Sequence, residues 1–361
     1  MEENLNLENF EDDSDKEEFQ SQIHPNNNLT SYTVGNSIRT IVDMIDEDTI
    51  FLRPDFQRGF IWDIRRASKL IDSILIGLPI PNILLVRYRA DEKFIVVDGQ
   101  QRLTTIYSYI KGEFNDNGTK KSFKLHGVGN DRAWSNKTFE ELDEILKRKL
   151  QNFVINSTML ENIESNPKVI FEIFNRLNTG GVPLTSQEVR NCIYSGKIND
   201  DLKNLNLIDS WRRFNSPKPG KRLQDVELIL RFYSLFEEKY LSYRPPMRDW
   251  LNSAMEESLN SGLEEHFKIN FDNINKIIYT KIGVSAFRGK GRSFNRSIFD
   301  ALMVSFSICL KNNSLVDNIL QKYNELLENP EFQDCLIEGT TDARKVKKRI
   351  ELAIKYFSKN E

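Results

Sequence analysis

The chain is poor in the residues that most often carry metal and redox chemistry. Its 361 residues include three cysteines and three histidines. Cys192, Cys309 and Cys335 are widely spaced and odd in number. They offer neither a disulfide framework nor a paired zinc knuckle, and point to a reducing, cytoplasmic compartment. His24, His126 and His266 lie far apart. The helical spacing of a zinc hydrolase and the clustered His and Asn of a His-metal finger nuclease are therefore both missing. Long hydrophobic runs are missing too. The greasiest stretch, residues 74–86, is too short to cross a bilayer and contains Pro79 and Pro81, so no membrane partner is expected. The acidic first residues lack the apolar region of a secretory leader.

Net charge is also small, at -3 from 50 basic and 53 acidic residues. That near-balance hides an asymmetry. Residues 1–20 hold nine acids against one base, a local -8, which leaves +5 on the other 341 residues. Residues 1–30 read as an acidic, flexible tail. Such a tail is either a solvated leader or an arm that masks a basic surface, in which case its deletion raises DNA affinity.

What is present is enough apolar sequence for a core. Hydrophobic residues make up 39% and aromatics 11%, which excludes a disordered chain and leaves room for about two domains. The spacing predicts a helix over 34–45, a strand over 50–52, and a loop over 54–62 in which Phe60 and Trp62 anchor the core. A helix over 64–76 follows, opened by Asp63 and closed by Gly77. Two strands, 83–88 and 94–97, lead into a helix over 103–110. Residues 115–129 suit a hairpin excursion, Thr138 with Glu141 a capping box for a helix to Leu150, and 153–155 another strand. Pro167 suits the first turn of a helix with a stripe at Val169, Ile170, Ile173, Phe174 and Leu177, and Thr185 with Glu188 a second capping box. Beyond residue 200 the pattern is nearly all helix.

The segment richest in chemistry runs from Phe94 to Leu103. A buried strand ends, the chain turns at Asp98-Gly99, and a helix begins. Backbone N–H groups at a helix start suit an anion. Gly99 lets a phosphate approach closely, and Arg102 can offer a planar fork to its oxygens. Asp98 can hold a divalent cation or orient water, and Gln100 and Gln101 can position a nucleophilic water or read a base edge. In phosphoryl chemistry positioning and charge neutralisation supply most of the catalysis. The plainer reading is that Asp98 simply caps the helix.

Two further polar loops join it. Asp55, Gln57 and Arg58 lie between a strand and a helix, where Arg58 would make a second phosphate contact. Asn178 stands at the Asn-Thr-Gly-Gly end of the 167–177 helix, where it either caps that helix or faces the site.

Four segments taken together resemble the N-terminal domain of the GmrSD restriction endonucleases, within the ParB/sulfiredoxin-like superfamily. They are Pro54-x-Phe56-Gln57-Arg58-x-x-x-Trp62, Leu70 to Ile74 with Pro79-Ile80-Pro81, Val97-Asp98-Gly99-Gln100-Gln101-Arg102-Leu103, and Phe174 to Gly180. The similarity covers about residues 35–195. It implies an α+β fold with a small mixed sheet over 31–200, followed by an all-helical domain over 201–361. It also implies a nucleotide site at Asp98, Gly99, Gln100, Gln101 and Arg102, with Arg58 beside it; the residues themselves add Gln57, Asp55 and Asn178 as nucleoside triphosphate contacts and a divalent cation such as Mg²⁺ on Asp98. Many members append a His-Asn-His nuclease domain. The scarcity of histidine here implies that any such cleavage falls to a separate nuclease subunit.

Basic loops in the C-terminal half point to DNA. Lys221 and Arg222 follow Trp211-Arg212-Arg213-Phe214. Arg288, Lys290, Arg292 and Arg296 sit in a Gly- and Phe-containing loop able to track phosphates and stack on bases. A run over 344–349 lies on a helix and suits a solvated face. No helix-turn-helix or finger signature supports sequence-specific reading. The leading expectation is a nucleoside triphosphate hydrolase of a phage-defence restriction system that acts on or senses DNA. The alternatives are a non-catalytic module that senses nucleotide or DNA and gates a nuclease, and a ParB-like clamp.

Overall fold

The computed structural model describes residues 30–52, 62–88, 93–116, 119–161, 169, 172–173, 185–194, 196–215, 219–220, 223–289, 291 and 293–359. They form two compact units, one among residues 30–173 and one among residues 185–359. The acidic tail, and with it the proposed masking arm, lies outside the described residues.

The first unit is α+β. Its elements run β1 (Thr30–Ser37), α1 (Ile38–Asp46), β2 (Ile50–Phe51), α2 (Ile64–Ile76), β3 (Ile83–Tyr88), β4 (Lys93–Asp98), α3 (Gln100–Lys111), the hairpin β5 (Glu113–Asp116) and β6 (Thr119–Ser122), α4 (Glu144–Asn152) and β7 (Val154–Glu161). Five strands make one mixed sheet in the order β1-β7-β3-β4-β2. β1 runs antiparallel to β7 and β3 antiparallel to β4, while β7–β3 and β4–β2 are parallel pairs.

The core explains the run of apolar residues in the central strands. Ile83, Leu85 and Val86 on β3, and Ile95, Val96 and Val97 on β4, are all buried. Both faces of these strands are therefore covered, which suits a continuous apolar run rather than alternation. Ile38, Ile41, Val42 and Ile45 of α1 and Ala67, Ile71, Ile74 and Leu75 of α2 pack into the same core as Leu103 and Ile106 of α3.

Local chemistry sets most element ends. Asp63 Oδ1 accepts from the Arg66 N–H and opens α2, and Gly77, with φ of 95°, closes it. Residues 34–37 join β1 rather than a helix, and Ser37 caps α1 from its hydroxyl. The turn-by-turn apolar spacing begins only at Ile38, and eight residues pair with β7 from Thr30↔Glu161 to Ser37↔Val154. Both capping-box hydrogen bonds between Thr138 and Glu141 form, yet they close a turn. The helix starts later, at Glu144, with Asp143 as its cap. The box at Thr185 and Glu188 does open a helix, α5 (Ser186–Ile193).

The second unit is helical. After α5 come α6 (Lys197–Leu205), α7 (Asp209–Arg212), α8 (Gln224–Leu235), a 3-10 segment (Glu237–Ser242), α9 (Met247–Glu257), α10 (Glu265–Lys281), α11 (Arg296–Lys311), α12 (Ile319–Glu328), α13 (Pro330–Asp334) and α14 (Ala343–Phe357). Trp211 is fully buried, its ring among those of Phe271, Phe287, Phe294 and Phe299. Its indole N–H donates to Asn206 Oδ1, which satisfies the polar handle of a buried tryptophan. A charged knot lies deeper. Asp300 on α11 takes a two-point contact from Arg231 on α8 and a further bond from Arg349 on α14, all buried. Among the described residues, no helix is long and apolar enough to cross a membrane.

Candidate functional site

The site is built where β4 ends and α3 begins. Asp98 is the last residue of β4 and Gly99 stands at the N-cap of α3 with φ of 96°. No side chain caps α3, so Asp98 is not the helix cap. By contrast Ser37, Asp63, Asp143 and Thr185 cap their helices with side-chain oxygens. The first N–H groups of α3 therefore keep their capacity for an acceptor.

Asp98 turns instead to Arg102, one helical turn on. Arg102 Nη2 donates to Asp98 Oδ2 at 2.6 Å, and Nη1 donates to the carbonyl oxygens of Pro81 and Asn82, the latter at 2.9 Å. The guanidinium thus ties the Pro-Ile-Pro-Asn segment before β3 to the start of α3. Arg102 is buried, while the Asp98 side chain keeps 51% of its surface. A carboxylate oriented by a buried arginine and still open to solvent is suited to hold water or a cation.

Gly99 has a reason that sequence could not display. A Cβ built there would lie 2.5 Å from Ile83 Cγ2, and the φ is in the left-handed region. Ile83 is itself fixed in the core. The missing side chain thus makes room for the protein's own β3, and the backbone turn adds a second demand.

Around this corner lie polar atoms without partners among the described residues. Gln100 Nε2, both polar ends of the Gln101 amide, and Thr104 Oγ1 are sealed from solvent and make no hydrogen bond. Leaving a buried polar group unpaired costs about 1–3 kcal/mol each. Native folds keep such groups chiefly where a ligand, ion or water meets them. Thr104 was not singled out from the sequence. Its place four residues after Gln100 and three after Gln101 puts it on the same side of the helix, and that spacing was the available signal.

Asp55, Gln57, Arg58 and Asn178 lie outside the described residues, as do Lys221, Arg222, Lys290 and Arg292. Arg288 is half-buried. Arg296 stands 3.6 Å from Glu227 and is largely buried. Phe287 and Phe294 pack on each other and on Phe299 in the aromatic core, so Phe287, at 1% exposure, is no stacking surface for a base. In the 344–349 run, Arg349 is buried on Asp300, Lys345 pairs with Asp334 and Lys348 with Glu331. Trp62 is half-buried rather than a core anchor, and the Arg66 guanidinium lies 4.7 Å from its ring centre. Among the described residues no group of three His, Cys, Asp or Glu is placed to hold a metal ion.

A mixed sheet whose β4–α3 corner carries Asp-Gly-Gln-Gln-Arg defines a class, and the comparison with known families agrees. Residues 38–195 match the GmrSD restriction endonuclease, N-terminal domain family. The chain carries a domain of that family, which points to a component of a phage-directed restriction system. No curated protein and no solved structure matches the chain.

Proposed function

We propose that the β4–α3 corner binds a nucleoside triphosphate and hydrolyses it, and that this activity serves restriction of foreign DNA. One observation carries the reading: an oriented, half-exposed Asp98 adjoins an uncapped helix start and a set of buried, unpartnered Gln and Thr groups. Phosphate oxygens would accept from the first N–H groups of α3. The amides of Gln100 and Gln101 offer both donors and acceptors, as a water or a nucleobase edge requires. Asp98 would orient the attacking water or hold a divalent cation. A single carboxylate fits Mg²⁺, which commonly takes one or two carboxylates and completes its shell with phosphate oxygens and water. Arg58 would add a second positive charge. Arg288, Lys290, Arg292, Lys221 and Arg222 remain candidates for DNA contact, whereas Arg296 is held on Glu227, and cleavage would belong to a separate nuclease subunit.

Arg102 favours a second reading of the same corner. Two carbonyl groups and Asp98 already engage its guanidinium. It acts here as a positioning residue, and a pocket whose arginine is so committed is also suited to hold nucleotide without turnover and gate a partner.

Phosphate release separates the two. The purified chain is incubated with each nucleoside triphosphate and Mg²⁺, with and without DNA. Hydrolysis that falls at least about 100-fold in Asp98→Ala, the scale of losing one preorganised group, supports the enzyme. Tight nucleotide binding with no turnover, in the presence of DNA and of its nuclease partner, overturns it in favour of the sensor.

A further inference from the structure

The described basic residues differ sharply in whether they are neutralised. In the helical unit Arg212 pairs with Asp225, Arg296 with Glu227, Lys345 with Asp334, Lys348 with Glu331 and Arg349 with Asp300. In the first unit α2 opens with Arg65, Arg66 and Lys69, all exposed. Among the described residues no carboxylate forms an ion pair with any of them. The first turn of α2 has no acid, although acids are favoured at that end and cations are not. Three unneutralised cations on one and a half turns cost stability there, a conflict of the kind that functional surfaces retain.

The neighbourhood is aromatic and rigid. Trp62, half-exposed just before the helix, has Arg66 lying over its ring. The loop over 123–137 is clamped against α2 on the adjoining side. The His126 N–H donates to Ser68 Oγ at 2.9 Å, and Trp134 Nε1 donates to Asp72 Oδ1 at 2.8 Å. The Arg65 stem runs along Gly127, where an added Cβ would stand 3.6 Å from Arg65 Cγ. Arg132, also exposed, lies over the Trp134 ring at 5.7 Å. Of the nearby acids, Asp63 is engaged by the Arg66 N–H and Asp72 by Trp134 and Arg132, leaving Asp131 exposed on the loop.

We infer that this face of α2 binds single-stranded nucleic acid, with backbone phosphates on Arg65, Arg66 and Lys69 and a base against the Trp62–Arg66 stack. Cations aligned along a helix follow a phosphate backbone, and an Arg-backed indole offers a sequence-tolerant platform for one unstacked base. A duplex would satisfy the cations but offers no free base face to Trp62. The surface belongs to the first unit and involves none of the residues assigned to nucleotide, so it stands or falls apart from that reading.

The test is fluorescence anisotropy of the full chain with labelled single-stranded and duplex DNA over a salt series. Nucleotide binding and thermal melting are followed in the same variants. In Arg65→Ala/Arg66→Ala/Lys69→Ala the single-strand log–log salt slope is expected to flatten by up to about 2, the counterion release of three phosphates. Trp62→Ala is expected to lose about 5- to 150-fold in single-strand affinity, the range of one base stack, with the slope kept. Unchanged nucleotide binding and melting with these losses supports the inference. Unchanged affinity and slope in the triple variant overturns it. So does equal weakening for duplex and single strand together with no effect of Trp62→Ala, which describes a general polyanion surface. Loss of nucleotide binding alongside DNA binding overturns the claim of a separate surface.

Discussion

Arg102 reaches back one turn to Asp98 while holding the carbonyls of Pro81 and Asn82. One buried guanidinium therefore does two jobs. It locks the approach to β3 against the start of α3, and it aims a carboxylate whose remaining surface is open.

That division predicts different behaviour for the two partners. Arg102→Ala strands two carbonyls and the Asp98 charge, and is expected to lower stability by about 1–3 kcal/mol. Asp98→Ala removes one half-exposed ion-pair partner and is expected to lower it by less than about 1 kcal/mol. Urea unfolding measures both. If Asp98→Ala proves the more destabilising, the clamp is assigned to the wrong residue.

Gly99→Ala brings a methyl into Ile83 and a side chain into the left-handed region. It is expected to lose about 1–3 kcal/mol from strain at that φ. In an Ile83→Ala background, where Cγ2 is gone and Cβ stays 3.0 Å from the added methyl, the cost of Gly99→Ala should recover in part and no more. Full recovery would show that the backbone conformation contributes nothing.

The Asp300 knot gives the helical unit an acid-sensitive element. Burial opposes ionisation of Asp300, but the guanidiniums of Arg231 and Arg349 outweigh it and hold the carboxyl below its ordinary value. A depressed folded-state value stabilises fully above the unfolded value of about 3.9. That contribution is lost as pH falls through the folded value. Asp300→Asn leaves two buried guanidiniums without their counter-ion and is expected to cost about 3–5 kcal/mol at neutral pH. Denaturation followed from pH 7 to pH 3 should then show a shallower acid decline in the variant than in the parent. Parallel curves would remove Asp300 from the account.

Much of the candidate corner is legible in the sequence. Asp98, Gly99, Gln100, Gln101 and Arg102 are contiguous, so a strand signal followed by a helix signal brings them to one corner. Thr104 was one turn beyond attention. The roles were harder. Gly99 looked like room for a phosphate, and the side chain that needs the room is Ile83, sixteen residues away. Arg102 looked free to meet a ligand, and two of its three acceptors come from the segment before β3.

Sequence by itself determined the class: an α+β unit followed by helices, and an Asp-Gly-Gln-Gln-Arg corner of the GmrSD N-terminal family. Local physics suffices for that, because capping oxygens, turn glycines and apolar periodicity act within a few residues. Tertiary structure alone decided which charges are free. Arg349 and Arg296, apparently parts of basic runs, meet Asp300 and Glu227 far along the chain. Arg65, Arg66 and Lys69, an unremarked helix start, meet no acid among the described residues. Whether a cation is neutralised depends on what packs opposite it, and no window of sequence contains that partner.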